Sequence, residues 1–335
     1  MNAPDSPDSS GCIVTLTPNP STDRTLTLGG PLQRGAVHRL ETVGSQAGGK
    51  GVNISRACIS AGVDTVAVLP AATDDAFVHE LVAAGIPHRL VPSDHPVRVN
   101  FTVTEPDGTT TKLNSPGAPA TPADLQALAA RLHDLADSAD WMVLAGSLPP
   151  GAPAEWYADL VADLRDRTRV AVDTSDEPLR ALVERLGTAA PHVMKPNGDE
   201  LASFTGGDAD ALEADPAAAA EAARFLVDQG VETVLVTLGG NGAVLVDRSG
   251  AWHASPPPTD VVSTVGAGDS SLFGYLLGHL RGDDQADCLA LAVAYGSAAA
   301  GLPGTTIPHP AQVRRDLVQV QHLPVRSHLG KQSPQ

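Results

Sequence analysis

Short runs of β-branched and aliphatic residues alternate with longer segments of helical periodicity along most of this 335-residue chain. Strands are predicted at 13–17, 65–69, 141–144, 170–173, 192–194, 233–238 and 243–246. Helices are predicted at 51–60, 77–84, 122–135, 153–164, 178–186 and 216–227. Parallel strands need a crossover between them, so the alternation predicts an α/β fold with a mainly parallel sheet covered by helices on both faces.

Two stretches interrupt this alternation, at about 25–46 and about 97–113. In the second, Val99, Phe101 and Val103 alternate with polar residues ahead of an Asp107-Gly108 turn, a pattern typical of a β-hairpin. Neither stretch is long enough to form a core of its own. We therefore expect a small β-lid over the carboxyl ends of the main strands, the edge at which open α/β sheets bind ligands.

Charge and cysteine content limit the partners and the compartment. The formal net charge of −17 and the pI near 4.9 argue against nucleic acid and anionic membranes, because both would repel the molecule. The three cysteines form no Cys-x-x-Cys pair, and residues 1–10 lack the basic and apolar segments of a signal peptide. These features predict a reduced, soluble, cytoplasmic protein in which an anionic substrate needs a local basic pocket.

Several common catalytic signatures are missing from the sequence. It contains no His-Glu-x-x-His, no cysteine and histidine cluster at zinc spacing and no Gly-x-Ser-x-Gly, which disfavours zinc and serine hydrolysis. The glycines at 266 and 268 do not complete a dinucleotide fingerprint, since Ser271 stands at its last position, and no Gly-Lys-Ser/Thr forms a P-loop. An oxidoreductase is therefore a disfavoured alternative.

The segment Gly266-Ala267-Gly268-Asp269 precedes an apolar run at 272–277. Glycines at the start of a helix leave its first amides bare and directed at a common point, where an anion can be stabilised beside the carboxylate. Asp269 either caps this helix or acts as a base, and the residues alone leave both interpretations open.

Two further segments combine glycine or polar residues with a predicted helix start. Gly48-Gly49-Lys50-Gly51 precedes a helix beginning near Val52, so its backbone amides can approach a ligand closely, and Asn53 follows in the first turn. Asn197 and Glu200 lie at i and i+3, which suits either a capping box or oxygen donors around a hydrated hard cation. For this pair the residues alone favour the capping box.

Taken in order, seven motifs between about residues 13 and 318 resemble the ribokinase-like PfkB family of carbohydrate kinases. The resemblance is greatest to its phosphosugar branch, the 1-phosphofructokinases and tagatose-6-phosphate kinases. The motifs are TPNPSTD at 17–23, AGGKGVN at 47–53, LNSPG at 113–117, AGSLPPG at 145–151, KPNGDE at 195–200, TLGGNG at 237–242 and STVGAGD at 263–269. The resemblance implies a three-layer αβα fold with a β-lid.

The resemblance also implies roles on the nucleotide side. Asp269 matches the family's catalytic base, and Gly266, Ala267 and Gly268 match the anion hole for the transferred phosphoryl group. Asn197 and Glu200 would organise Mg²⁺ through water. The residues expected to bind ATP are Lys195, Asn197, Thr237, Gly239, Gly242 and Ser297.

On the sugar side, Asp23 matches a residue that accepts hydrogen bonds from sugar hydroxyls, and Ser147 matches one that contacts the phosphosugar. Lys50 and Arg98 are the candidates for the substrate's own phosphate, since Arg binds phosphate in a bidentate manner and Lys acts as a point charge. The remaining expected substrate-binding residues are Gly48, Gly49 and Asn53, with Asp269 at the reacting hydroxyl. Ser115 stands where the family more commonly has an acidic residue, so the resemblance leaves the fine sugar specificity open.

The sequence therefore predicts one kinase domain at 12–320, with disordered tails at 1–11 and 321–335. The expected reaction is ATP-dependent phosphorylation of a ketose monophosphate, with fructose 1-phosphate as the leading substrate and tagatose 6-phosphate or fructose 6-phosphate as alternatives. A non-catalytic sugar-phosphate sensor is an alternative of a different class. Strand edges in the lid, and the family's habit of packing its lids together, predict a homodimer.

Overall fold

A computed structural model describes residues 11–324, and the parts of the expected tails at 1–10 and 325–335 lie outside the described residues. The strands are β1 (Cys12–Leu16), β2 (Ser21–Leu28), β3 (Leu40–Gly48), β4 (Asp64–Pro70), β5 (His88–Val91), β6 (Arg98–Thr104), β7 (Thr110–Leu113), β8 (Trp141–Ala145), β9 (Arg169–Asp173), β10 (Val193–Met194), β11 (Thr233–Thr237), β12 (Ala243–Asp247), β13 (Ala251–Ser255) and β14 (Gln319–His322).

The helices lie mainly between consecutive strands of the large sheet. They are α1 (Lys50–Ala61), α2 (Ala76–Ala83), α3 (Pro122–Leu135), α4 (Trp156–Leu164), α5 (Asp176–Glu184), α6 (Leu186–Ala189), α7 (Gly198–Thr205), α8 (Ala209–Ala214), α9 (Pro216–Asp228), α10 (Ala267–Arg281) and α11 (Gln285–Ala300).

The large sheet has ten strands in the order β14-β13-β12-β11-β10-β9-β8-β1-β4-β5. The pairs from β5 to β11 are parallel, and the three at the other edge are antiparallel. The change of direction follows from connection length, because β11 and β12 are joined by a short turn at 238–242 that cannot hold a crossover. The predicted α/β class with a mainly parallel sheet is confirmed.

Alternate residues of the central strands face opposite helical layers. In β8, Met142 and Leu144 pack in a cluster with residues of α3, α4, α5 and α9. Trp141 and Val143 pack instead in a cluster with residues of α1, α10 and α11. The sheet is therefore the middle of three layers, with an apolar core on each face.

A separate four-stranded sheet, β3-β2-β6-β7, forms the lid. The first lid segment, β2 and β3, begins at Ser21 rather than near residue 25, and it ends at Gly48 rather than near residue 46. The expected bounds were too narrow because the polar residues Ser21 to Arg24 have no apolar alternation, yet they pair with β3 and β6 throughout. The lid is thus continuous with the glycine loop that leads into α1.

Two features of the C-terminal part of the chain lie outside the elements predicted above. Helix α11 begins at Gln285, because the Asp284 side chain accepts a hydrogen bond from the Asp287 amide and caps it. Most of α11 is buried, so no amphipathic period marks its start. At the C-terminal end, Gln321 and His322 belong to β14 and not to the expected tail.

Within residues 11–324, no helix combines the length and the apolar character needed to cross a bilayer.

A histidine cluster surrounds Trp141 near the start of β8, away from the carboxyl ends of the strands. The rings of His279 and His192 lie 5.0 Å and 6.5 Å from the Trp141 ring, and the Arg169 guanidinium lies 5.8 Å from it. The Val170 amide donates a hydrogen bond of 3.0 Å to His192 Nδ1, so this nitrogen must be unprotonated in the fold. Burial and Arg169 lower the pKa of His279, and burial lowers that of His192 despite Glu232 nearby.

We expect this cluster to make the folded protein less stable as the pH decreases. Both histidines have a lower pKa in the folded than in the unfolded chain, so the unfolded chain takes up protons first as the pH drops below about 6.5. The melting temperature of the wild type should fall more between about pH 7.5 and about pH 5.5 than that of His192→Asn, whose side-chain oxygen can still accept from Val170. Thermal unfolding followed by circular dichroism measures the difference, with exposed His95→Asn as control. Equal pH dependence in wild type and His192→Asn would contradict this assignment.

Candidate active site

The carboxyl ends of the parallel strands meet at one edge of the sheet, under the lid. A cleft of about 1040 Å³ lies there. It is bounded by residues that follow β1, β8, β10 and β11, and by the polar face of the lid. The residues at the strand ends are Thr17, Gly146, Ser147, Lys195 and Thr237. This is the position expected for a ligand site in an open α/β sheet.

Asp269 lies in the first turn of α10 and faces this cleft. The helix starts at Gly266, whose φ of 80° lies in the left-handed region that favours glycine, and no side chain caps it. Gly266, Ala267 and Gly268 line the cleft, and Asp269 is only 6% exposed. The Ala267 amide donates a long hydrogen bond of 3.4 Å to the Thr264 carbonyl, and within residues 11–324 the structure gives no acceptor for the amides of Gly266 and Gly268. Asp269 therefore does not serve as the cap, one of its two possible roles, and lies beside amide donors that a ligand can use.

The Asp269 carboxylate is held by a side chain from another element. Asn53 Nδ2, in the first turn of α1, donates a hydrogen bond of 2.7 Å to Asp269 Oδ2. Burial first, and then the Asp173 carboxylate, raise the pKa of Asp269 to about 6, against the opposing effects of Lys50, the Asn53 hydrogen bond and Lys195. A carboxylate with this pKa is ionised near neutral pH and basic enough to accept a proton.

Asp173, at the end of β9, is a buried carboxylate that sequence reasoning did not select. Lys50 Nζ donates a hydrogen bond of 2.6 Å to Asp173 Oδ1, and Lys195 Nζ lies 3.2 Å from Oδ2. Burial alone would raise the pKa of Asp173, but the two lysines outweigh it and lower the pKa. The available signal was its position at the end of a predicted strand, where the other cleft residues also lie.

The two cations expected at the substrate's phosphate line the same cleft but have different contacts. Lys50 contacts Asp173 and faces Asp269 and Glu200, whose charges raise its pKa although burial opposes them. Arg98, on β6 of the lid, lies instead beside Ser147. Of these two cations, Arg98 therefore lies on the lid, and Lys50 lies at the start of α1 beside Asp173.

Arg98 is oriented by acceptors from three loops. Its guanidinium donates to the Ser115 carbonyl at 2.7 Å, to the Asn19 carbonyl at 3.0 Å and to Ser147 Oγ at 3.4 Å. Ser115 Oγ in turn donates to the Val99 carbonyl at 2.7 Å, which ties the loop after β7 to β6. Ser115, which departs from the family pattern, thus holds the lid loop that positions Arg98.

Asp23, on β2, is the carboxylate of the lid sheet that lines the cleft. It accepts hydrogen bonds from Ser21 Oγ at 2.8 Å and from Asn100 Nδ2 at 3.1 Å, and burial raises its pKa. Gly48 lies so close to Asp23 that a Cβ atom at position 48 would overlap the carboxylate. Gly48 therefore fits as the neighbour of a hydroxyl-binding carboxylate, and Gly49 follows on the cleft wall.

Asn197 and Glu200 form the reciprocal capping box of α7. Asn197 Oδ1 accepts from the Glu200 amide at 2.7 Å, and Glu200 Oε2 accepts from the Asn197 amide at 2.9 Å. Both side chains also line the cleft, and burial raises the pKa of Glu200. Across residues 11–324, no group of three or more His, Cys, Asp or Glu side chains forms a metal cage. The pair suits Mg²⁺ that keeps several waters and is held mainly by phosphates.

Another part of the cleft is lined largely by apolar residues. Thr237, Gly239 and Gly242 line it on one side, and Ser297 of α11 lines it on the other. Apolar residues between them provide a surface for a flat ring; they are Pro256, Pro257, Val261, Val265 and Val293. The four residues that the sequence predicted to bind the nucleotide here, Thr237, Gly239, Gly242 and Ser297, thus line the same cleft as these apolar residues.

Two charged cleft residues were missed by sequence reasoning. Lys112 on β7 pairs with Thr102 and shares the inner face of the lid with Arg98. Its signal was the two-residue period of the predicted hairpin, which puts both side chains on one face. Glu213 on α8 lines the cleft opposite Gly239, and no motif marked it.

Comparison with known proteins agrees with this geometry. A family model described as pfkB family carbohydrate kinase matches residues 18–312. The chain is 38% identical over 306 residues to the 1-phosphofructokinase of Rhodobacter capsulatus, covering 90% of this chain and 94% of that protein. It is 36% identical over 317 residues to the 1-phosphofructokinase of Haloferax volcanii, covering 94% and 99%. The structure of phosphofructokinase-2 from Escherichia coli in complex with fructose-6-phosphate matches with a TM-score of 0.77 and 28% identity, covering 86% and 93%.

Proposed function

Because the chain belongs to the pfkB family of carbohydrate kinases, we propose that it transfers the γ-phosphoryl group of ATP to fructose 1-phosphate, forming fructose 1,6-bisphosphate. The family resemblance and the phosphosugar kinase class predicted from the motifs are confirmed. ATP as co-substrate follows from the family. The choice of fructose 1-phosphate rests on relatives that carry the name 1-phosphofructokinase at 36–38% identity over most of the chain.

The distribution of charge in the cleft supports a substrate that already carries a phosphate. In a protein of net charge −17, Lys112 and Arg98 both line the inner face of the lid; Lys112 lies opposite Thr102, four residues along β6 from Arg98, and Arg98 lies beside Ser147. A dianionic phosphate there would be bound by charge-assisted hydrogen bonds, with Arg98 already oriented by fixed acceptors. A free sugar would bring no anion for these two cations to bind.

In the proposed reaction, Asp269 accepts the proton of the free primary hydroxyl while the sugar oxygen forms a bond to the γ-phosphorus. The bond from that phosphorus to the β,γ-bridging oxygen breaks, and ADP leaves with its electron pair. The amides of Gly266, Ala267 and Gly268 hold the transferred group, and Lys195 binds the nucleotide phosphates. Mg²⁺ would neutralise phosphate charge, with Asn197 and Glu200 holding its waters.

Fructose 6-phosphate and tagatose 6-phosphate are the alternative substrates within the same class. Phosphofructokinase-2 of Escherichia coli, named with fructose-6-phosphate, shares 28% identity with this chain. A ketofuranose carries a primary carbon at each end of the ring, so one arrangement of phosphate site and base can accept either orientation. Ring contacts to Asp23, Asn100 and Asn19 then decide the choice.

The test is an ADP-release assay over fructose 1-phosphate, fructose 6-phosphate, tagatose 6-phosphate and free fructose. We expect the highest kcat/KM for fructose 1-phosphate and loss of at least about 10²-fold in kcat for Asp269→Asn, the scale of general-base removal. Equal or better use of fructose 6-phosphate or tagatose 6-phosphate would replace the proposed substrate with that sugar.

Asp269→Asn also serves as the control for contaminating kinases, because it is purified in the same way. The Asn side chain keeps the size of the buried group, so its melting temperature should stay near that of the wild type. Near-normal turnover by a folded Asp269→Asn would remove Asp269 as the base. Saturable ligand binding without ADP release by the wild type would favour the sugar-phosphate sensor.

Replacing Arg98 should weaken the phosphosugar selectively. Loss of charged hydrogen bonds is worth about 1.5–3 kcal/mol, so Arg98→Ala should raise the KM for the sugar phosphate by roughly 10- to 100-fold and leave the KM for ATP within about twofold. The KM of Arg98→Lys for the sugar phosphate should lie between those of the wild type and Arg98→Ala, because lysine keeps the charge but cannot form the bidentate hydrogen bonds of a guanidinium. Arg89→Ala, an exposed arginine on β5, is the matched control. A parallel rise in both KM values would contradict this placement.

We also propose that the outer face of the lid binds a second copy of the chain. Leu26 pairs with Val43 across β2 and β3, and Phe101 pairs with Leu113 across β6 and β7, all on the face opposite Asp23 and Arg98. Val43 is 59% exposed and Leu113 is 56% exposed. A sheet with one polar and one apolar face needs a second layer on the apolar side, and a second lid supplies it.

The expected oligomer is a homodimer, measured by light scattering after gel filtration. Val43→Lys/Leu113→Lys should give a folded monomer, because two buried ammonium groups per subunit cannot be desolvated at low cost. Val82→Lys, a similarly exposed valine on α2, should stay dimeric. A monomeric wild type at micromolar concentration would refute the dimer.

A further inference from the structure

Asp173 is the only carboxylate among the described residues for which the structure gives ion pairs to two lysines. Its side chain has no exposed surface, and it accepts Lys50 on one oxygen while Lys195 lies against the other. Lys50 is the first residue of α1, and Lys195 follows β10. The carboxylate on β9 therefore joins cations from two separate elements at the floor of the cleft.

The two lysines depend on this carboxylate to differing extents. Lys195 is 4% exposed, and a buried ammonium group without an anion is strongly destabilising. Lys50 is 33% exposed on its side chain and also faces Asp269 and Glu200. Without Asp173, two positive charges would repel one another across the floor, and Lys50 would be free to move toward Asp269.

We propose, on the basis of the proposed kinase function, that Asp173 is a positioning residue that fixes Lys50 and Lys195 beneath the phosphoryl-transfer position and balances the charge around Asp269. Among residues 11–324 the structure gives no hydrogen bond between Asp173 and Asp269; Asp173 acts through the two lysines and through its charge. A purely structural Asp173 would stabilise the fold without changing the properties of Asp269.

The field at Asp269 distinguishes these two roles. The groups facing Asp269 are Asp173 from β9, Lys50 from α1, Lys195 after β10 and the Asn53 amide from α1. Asp173 raises the pKa of Asp269, whereas the two lysines and Asn53 lower it. Removing the Asp173 charge should therefore lower the pKa of Asp269, and removing the Lys50 charge should raise it.

The experiment measures the titration of Asp269 directly, by carbon NMR of protein labelled with ¹³C at the aspartate carboxyl groups. The Asp269 signal is assigned by its loss in Asp269→Asn. We expect Asp173→Asn to shift the titration down by about one pH unit and Lys50→Gln to shift it up, the usual size for a nearby charge. Asp247→Asn, a buried carboxylate remote from the cleft, is the matched control and should cause no shift.

Stability is handled by a second comparison, because Asp173→Asn leaves two lysines unpaired and can prevent folding. In a Lys50→Gln background only Lys195 needs a partner, so Asp173→Asn is added to that variant. The double variant should titrate at lower pH than Lys50→Gln alone, since it lacks the Asp173 charge that raises the pKa of Asp269. Absence of a shift in both comparisons, or shifts of the same sign for Asp173→Asn and Lys50→Gln, would overturn the proposal.

The kinetic readout separates this inference from the proposed function. The acid limb of kcat/KM should move in the same directions as the NMR titration, while the ionisation of the substrate's own phosphate, with a pKa near 6, is common to all variants. NMR shifts as expected, with no phosphoryl transfer by the wild type, would leave the charge arrangement standing and remove the kinase assignment. Transfer by the wild type without NMR shifts would do the reverse.

Discussion

The site depends on charges held at the edge of a parallel sheet in a protein of net charge −17. A cation that is to bind phosphate loses its hydration when it is buried, and in an acidic protein it can pair with any nearby carboxylate. Asp173, buried at the end of β9, pairs with Lys50 and Lys195 and fixes both. The same carboxylate faces Asp269 and makes it more basic. One buried anion is thus paired with both lysines and raises the pKa of the proposed base.

The backbone amides at the start of α10 can stabilise an anion without the burial of a further charged side chain. The α10 helix starts at Gly266 without a side-chain cap, and its first amides line the cleft. An ordinary capping residue would occupy these amides with its own oxygen. Asp269, three residues on, is instead held by Asn53 of α1, so the carboxylate and the amides stay available to a ligand.

The sequence was sufficient for the repeating part of the fold and insufficient where pairing is set by tertiary contacts. The strands at 13–17, 141–144 and 170–173 were predicted because buried parallel strands are apolar throughout. The start of the lid at Ser21 was missed, because its polar residues are stabilised by pairing with β3 and β6. The start of α11 was missed because a helix buried on most sides has no amphipathic period.

The candidate site shows the same division. Motif resemblance selected Asp269 and Asn53, and the need for a cation at the substrate's phosphate selected Arg98. The structure brings all three to one cleft. Motif resemblance did not select Asp173, whose importance lies in contacts with residues about 20 to 120 positions away that no local pattern encodes. Asn197 and Glu200 form the capping box that the residues alone favoured, and they line the cleft as the resemblance implies. The two interpretations of this pair were therefore compatible.

The two faces of the lid would connect the proposed substrate site to the proposed subunit interface. Side chains alternate along β6, so Arg98 and Asn100 face the cleft while Val99 and Phe101 do not. A slip of one residue would exchange the faces and remove the polar residues from the cleft. The register is held by Ser115, which donates to the Val99 carbonyl and accepts from Arg98. Because the contacts that hold the register also orient Arg98, the polar cleft face and the apolar outer face must form together.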